Sequence, residues 1–135
     1  DQCVIFFDGD ERIVFCNDAY RKLNESFIDF TSPGTLFEDH LRAGVRAGVI
    51  VDGIGREEEW VAKRLAYHRN PKGSFEVSRH DGTTIQLNEK ILPDTGTILV
   101  ITDITDLKVS QAQVVQASKL ATLGEMATSV AHELN

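Results

Sequence analysis

The chain has little of what marks special chemistry. Its 135 residues hold two cysteines, three prolines, one methionine and one tryptophan. No Cys-x-x-Cys pair and no Cys/His spacing is present, so a zinc ribbon or a dithiol redox motif lacks its ligands. No apolar run approaches the roughly 20 residues that span a bilayer. Positive charge is scarce: 14 Lys and Arg face 21 Asp and Glu, for a formal charge of -7. That balance argues against nucleic acid or an anionic membrane surface as a partner. A Gly-rich phosphate loop and an Asp/Asn cluster for Mg²⁺ are both missing, so ATP chemistry has no seat here. Neither an initiator Met nor a basic-then-apolar leader opens the chain, which reads as a piece cut from a longer protein. No internal repeat or low-complexity tract occurs.

What is present is ordinary for a globular domain. Apolar residues make up 41% and charged residues 26% of the chain, enough for one core plus an appended element. The run at 3–7 and the run at 13–16 are β-branched and aromatic. They flank a polar turn around Gly9 and read as a β-hairpin. Cys3 and Cys16 fall on these two strands. A disulfide is geometrically conceivable, and two buried thiols in a reducing cytosol is the simpler reading. Asn17 and Asp18 can cap a short helix over residues 19–23. After the break at Ser32-Pro33-Gly34, Thr35 is expected to cap a helix carrying Leu36, Phe37, Leu41 and Val45, ending near Gly48. Val49-Ile50-Val51 reads either as a strand or as the tail of that helix. Residues 56–69 form a second amphipathic helix, with Trp60, Leu65 and Ala66 on one side and Val61 and His68 nearby. Glu57, Glu58 and Glu59 open it, and Lys63, Arg64, His68 and Arg69 close it, an order that suits the helix dipole.

From Gly73 the period becomes two. Phe75, Val77 and Arg79 share one side of a strand, Asp81-Gly82 turns, and Ile85, Leu87 and Glu89 follow in the next strand. After a turn at residues 93–96, the stretch 97–101 is the last strand. Strand, turn, strand, then Asn and a short helix resembles the opening of a PAS domain over residues 5–23, with Asp8, Gly9, Asn17 and Tyr20 as its recognisable points. Five strands with helices inserted after the second is the PAS order. The resemblance implies a pocket, for which Phe6, Phe15, Leu36, Trp60, Leu87 and Val100 are the candidate lining. It would hold a small apolar ligand or be plain core, with plain core the simpler reading. His40, His68 and His80 are scattered and suggest no haem or metal, and neither cysteine lies where a flavin-linking cysteine would fall.

Asp103-Ile104-Thr105 is similar to the short motif that ends many PAS domains and couples the last strand to an outgoing helix. Asp103 can cap that helix while its carboxylate reaches a basic group on the sheet. Downstream, residues 106–135 contain no Pro and only Gly124. Leu107, Val114, Ala117, Leu120 and Leu123 keep a coarse spacing of three or four. A helix of about 30 residues with a narrow apolar stripe needs a partner helix, and a parallel homodimer is the simplest closed answer. The spacing from Val114 to Leu123 is not a strict heptad, so the coil is expected to shift phase there.

The last residues read SKLATLGEMATSVAHELN. Leu120, Leu123, Ala127, Val130 and Leu134 share one stripe. His132 lies roughly 200° around from Val130 and faces water. A neutral imidazole beside the Glu133 carboxylate is a nucleophile with its own proton acceptor. This stretch resembles the H-box of sensor histidine kinases at Leu120, Leu123, Gly124, Glu125, Met126, Ala127, Ala131, His132, Glu133, Leu134 and Asn135. The tetrapeptide HELN alone would be a weak signal, and the apolar helix before it makes the match specific. The resemblance implies His132 as phospho-acceptor, Glu133 as acid/base, and Asn135 as the residue that positions water when the phosphoryl group is removed. A zinc site beginning H-E-x-x-H competes, but the small and apolar helix upstream fits the dimer better.

The sequence thus predicts an α+β chain. A PAS fold with a five-stranded antiparallel sheet and flanking helices occupies residues 1–104. The linker and the first part of a coiled-coil phospho-acceptor helix occupy residues 105–135. Asp103 and Thr105 would relay a signal to His132. The expected partners are a second copy, the ATP-binding domain of the same protein and a response-regulator receiver domain. ATP and Mg²⁺ belong to that missing domain, so the fragment has no cofactor of its own and should be inactive alone. The expected location is cytoplasmic, with any membrane anchor upstream. The competing reading is a dimerising interaction module without phosphotransfer.

Overall fold

A computed structural model describes residues 2–134. By proximity along and across the chain it divides into two units, Asp1–Asp103 and Ile104–Asn135.

The first unit is built on a five-stranded antiparallel sheet of order β2-β1-β5-β4-β3. Its strands are β1 (Cys3–Phe7), β2 (Ile13–Cys16), β3 (Phe75–Ser78), β4 (Thr84–Leu92) and β5 (Gly96–Asp103). In the hairpin, Asp8 accepts from the Asp10 and Arg12 amides at 2.9 and 3.0 Å, and Glu11 takes φ 63°. The register shifts between Phe6 and Phe7, which face Phe15 and Ile13, so Val14 is the extra residue of a β-bulge.

Asn17 ties the hairpin to the first helix, α1 (Asp18–Leu23). Its Oδ1 accepts from the Tyr20 amide at 3.0 Å as an N-cap and from the Val4 amide at 3.1 Å, while its Nδ2 donates to the Gln2 carbonyl. A 3-10 segment (Glu25–Thr31) follows, then α2 (Phe37–Arg46), a 3-10 turn (Val51–Gly53) and α3 (Glu57–Arg69). The core joins these helices to one face of the sheet, with Ile5, Phe7, Leu87, Leu99 and Ile101 meeting Phe37, Leu41, Trp60 and Val61.

Several sequence expectations are corrected. Thr35 does not cap α2, because residues 34–37 are drawn into extended pairing with the first hairpin. Ile13 donates to the Thr35 carbonyl, Arg12 bridges Leu36, and Phe37 donates to the Glu11 carbonyl. Leu36 takes the cap position with no side-chain bond. Val49-Ile50-Val51 is neither strand nor helix tail: Ile50 forms an isolated bridge with Arg79 and the chain then turns. In α3 the inward residues are Trp60, Val61, Arg64, Leu65 and His68, while Ala66 is exposed. Arg64 and His68 are therefore not solvated charges at a helix end. Cys16 faces Ile5 and Cys3 faces Ile101 across the sheet, and both thiols are free.

The second unit is one helix, α4 (Thr105–Leu134), 30 residues long. It starts at Thr105, and the Lys108 amide donates to the Ile104 carbonyl. From Val109 to Glu133 every side chain is exposed. Among the described residues no helix is long and apolar enough to cross a membrane.

Candidate functional site

Two places carry chemistry, one inside the first unit and one on α4. The inner one begins with an alternation. Along β4, Ile85, Leu87 and Glu89 all point inward, so a carboxylate enters the core at the third position. On α3, Arg64 and His68 are four residues apart and therefore share a face. That face packs over Glu89. One carboxylate oxygen, Oε1, is ion-paired with Arg64, and the other, Oε2, accepts from His68 Nδ1 at 2.5 Å. His68 Nε2 lies 3.8 Å from Glu11, whose carboxylate takes two bonds from Arg69. Those bonds hold the Glu11 carboxyl below its ordinary range. The Arg64 guanidinium also lies 4.9 Å above the Phe37 ring.

A second pair sits on the other side of α2. His40 Nδ1 meets the Phe30 carbonyl at 2.9 Å, so Nδ1 carries the proton and Nε2 accepts from the Tyr20 hydroxyl at 2.5 Å. Burial pulls the His40 pKa down to about 4 and pushes the Tyr20 phenol up. His40 is therefore neutral and Tyr20 protonated at neutral pH. In the unfolded chain His40 titrates near 6.5, so below that pH the unfolded state binds a proton the folded state does not. Stability should fall as pH drops from about 6.5 to about 4, by about 3 kcal/mol from this group, and no further below. Urea denaturation across that range checks it. His40→Gln should flatten the profile, and an unchanged slope in that variant would contradict the assignment.

Between these pairs lies a cavity of about 50 Å³. Its polar lining is Tyr20, Asn24, His40, Arg64 and Arg79, set among apolar side chains such as Phe27, Leu41, Ile50 and Leu99. Trp60 and Leu87 line it as expected. Phe6, Phe15 and Val100 do not, because they alternate onto the other face of the sheet, where Phe15 is 54% exposed. Leu36 is only half-buried and outside the lining. The expected lining is thus corrected at Phe6, Phe15, Leu36 and Val100, and the wall holds two arginines. Sequence reasoning missed Arg64, Arg79 and Glu89 as core residues. The available signals were charges at inward positions of period-two strands and a helical spacing that shares the Trp60 face.

On α4, His132 and Glu133 are exposed and line one shallow groove with Gly124, Glu125, Thr128 and Ser129. Thr128 satisfies its own hydroxyl on the Gly124 carbonyl at 3.0 Å. Asp103 ends β5 and Thr105 opens α4. The structure does not bring Thr105 and His132 together: the helix separates them by roughly 40 Å at 1.5 Å per residue. Asn135 lies outside the described residues. Among the described residues no group of three or more His, Cys, Asp or Glu is arranged to hold a metal ion. His80, the remaining histidine, is exposed.

An antiparallel sheet of order 2-1-5-4-3, with its helices inserted between the second and third strands and a cavity beneath them, defines a PAS domain. The model of the family described as "PAS fold" matches residues 1–112, and the chain belongs to that family. Among solved structures, one described as the sensor region of a sensor histidine kinase is similar, with a TM-score of 0.51 and 19% identity. The likeness covers 78% of this chain and 40% of that one, so the chain spans well under half of that relative's length. At this identity the similarity shows the fold. No curated protein matches the chain.

Proposed function

We propose that the chain is the sensor and phospho-acceptor segment of a two-component histidine kinase. The observation that carries this reading is an exposed histidine, His132, on an unbroken 30-residue helix that follows a PAS domain directly. At about 100° per residue, the stripe of Leu120, Leu123, Ala127 and Val130 falls on the side of the helix opposite His132. Leu120, Leu123 and Val130 are 59, 60 and 54% exposed. A second copy of the chain would cover them in a parallel coiled coil, leaving the imidazoles outward.

In this reading a nitrogen of His132 takes the γ-phosphoryl group of ATP held by the kinase domain elsewhere in the same protein. An N–P bond forms, the bond to the bridging oxygen breaks, ADP leaves, and Glu133 takes the N–H proton. ATP and Mg²⁺ would be bound by that domain. The phosphoryl group then passes to an aspartate of a response regulator, its bond to the His132 nitrogen breaking as the acyl phosphate forms. When that group is removed, Asn135 would help position the water that attacks phosphorus, releasing inorganic phosphate and the free aspartate. Asp103 and Thr105, at the end of β5 and the start of α4, are where a change in the PAS core would enter the helix.

The test is to add a purified histidine kinase ATP-binding domain with Mg-ATP in trans. Acid-labile, base-stable phosphate on residue 132, located by fragmentation mass spectrometry, supports the proposal. A dimer that takes up no phosphate would reduce the chain to an interaction module.

A further inference from the structure

We infer that the PAS cavity binds a small planar monoanion, a carboxylate of about the size of acetate, between the guanidinium groups of Arg64 and Arg79. Both residues are almost wholly buried, at 1% and 6% exposure, and both line the cavity. Each has one nitrogen without a hydrogen-bond partner among the described residues, Nη1 of Arg64 and Nε of Arg79, and Oε1 of Glu89 is likewise without a hydrogen bond beyond its ion pair with Arg64. The remaining groups of Arg79 are spent on neutral acceptors, the Leu23 carbonyl at 2.8 Å and Asn24 Oδ1 at 3.5 Å. Tyr20 lines the same cavity as both cations.

Charge supports an anion. Of the two guanidiniums, only Arg64 is ion-paired with a buried carboxylate, Glu89, and Glu89 is not part of the cavity wall. The lining itself contains two cations and no carboxylate. A buried cation without a directly bonded counter-charge is costly, and a carboxylate answers it with short charge-assisted bonds that suit the planar guanidinium. The carboxylate that acts on Arg79 is that of Asp81, which is exposed and makes no ion pair with it among the described residues, so a surface charge only partly offsets this cation, and a monoanion suits it better than a phosphate or sulfate dianion.

Size points the same way. A cavity of about 50 Å³ has room for roughly three to five water-sized spheres at about 10–15 Å³ each, the scale of acetate, formate or nitrate. Phe27, Leu41 and Ile50 supply an apolar wall for a methyl group. That such an anion is the signal rests on the sensor reading above, whereas its binding does not.

The experiment titrates the 135-residue chain with sodium acetate, formate and nitrate at fixed ionic strength balanced by chloride, reading Tm. The expected result is a saturable rise of about 5–10 °C with acetate or formate, absent with chloride. A rise with nitrate alone would overturn the carboxylate assignment. Arg79→Met should abolish the rise, and Arg79→Lys should weaken binding at least about tenfold. Should Arg79→Met fail to fold, the Arg79 Nε–H resonance of the wild-type chain decides: a saturable shift supports the site. A stationary resonance, a rise no larger than chloride's, or a rise retained in folded Arg79→Met overturns it. Anion binding without effect on His132 phosphorylation would leave the site standing and count against the sensor reading alone.

Discussion

Glu89→Ala is expected to destabilise the PAS unit by about 3–5 kcal/mol. The Glu89 side chain is completely buried and holds Arg64 with one oxygen and His68 with the other. Arg64 is itself 2% exposed at the side chain, and its Nη1 already has no partner among the described residues. Removing the carboxylate leaves a dry guanidinium with no counter-charge, over an aromatic ring that compensates only a fraction of the lost hydration. Breaking a buried pair from one side is far more damaging than removing it whole. The double variant Arg64→Met/Glu89→Leu should therefore recover most of the loss, since neither desolvated charge remains. Guanidinium denaturation of wild type, single and double variants measures this, with the m-value as the check that compactness is unchanged. A single-variant cost under about 1 kcal/mol would mean that Arg64 finds water or another acceptor.

Gly96→Ala should cost about 3 kcal/mol or more. Gly96 starts β5 at φ +151°, and a Cβ built there would lie 1.9 Å from the Phe7 carbonyl oxygen, 2.9 Å from its carbon and 3.1 Å from Asp8 Cα. These are backbone atoms, so no rotamer relieves the clash. Phe7 pairs with Thr97 in the central β1–β5 ladder, and that end of the ladder must open to admit a methyl group. Gly82→Ala is the control. Its φ is +86°, but a Cβ would meet nothing within 4 Å, so only backbone strain of about 1 kcal/mol should appear. The difference between the two isolates the steric part, and equal costs would show that the Phe7–Gly96 approach is not tight in solution.

The elements read from local chemistry are those whose causes are local. Asn17 caps α1 because its side chain reaches an amide three residues on, and Asp81-Gly82 turns because Gly82 takes a left-handed φ. Thr35 misled for the opposite reason. Its neighbours are claimed by Glu11, Arg12 and Ile13, more than 20 residues upstream, and no local rule registers that pairing. The cavity lining was misread at Phe6, Phe15 and Val100 because β1, β2 and β5 are apolar on both faces. Alternation then separates two faces without saying which one is inside.

The order of strands and helices, the PAS class, and a long terminal helix bearing His132 and Glu133 follow from the chain alone, because period, turn residues and motif spacing are properties of neighbours. The burial of Arg64, Arg79 and Glu89 does not follow from it. Charged residue types belong to the surface by default. Only the packing of α3 on β4, and of Arg79 against Leu23 and Asn24, removes these groups from water and makes a cationic cavity of what composition suggests is a greasy core.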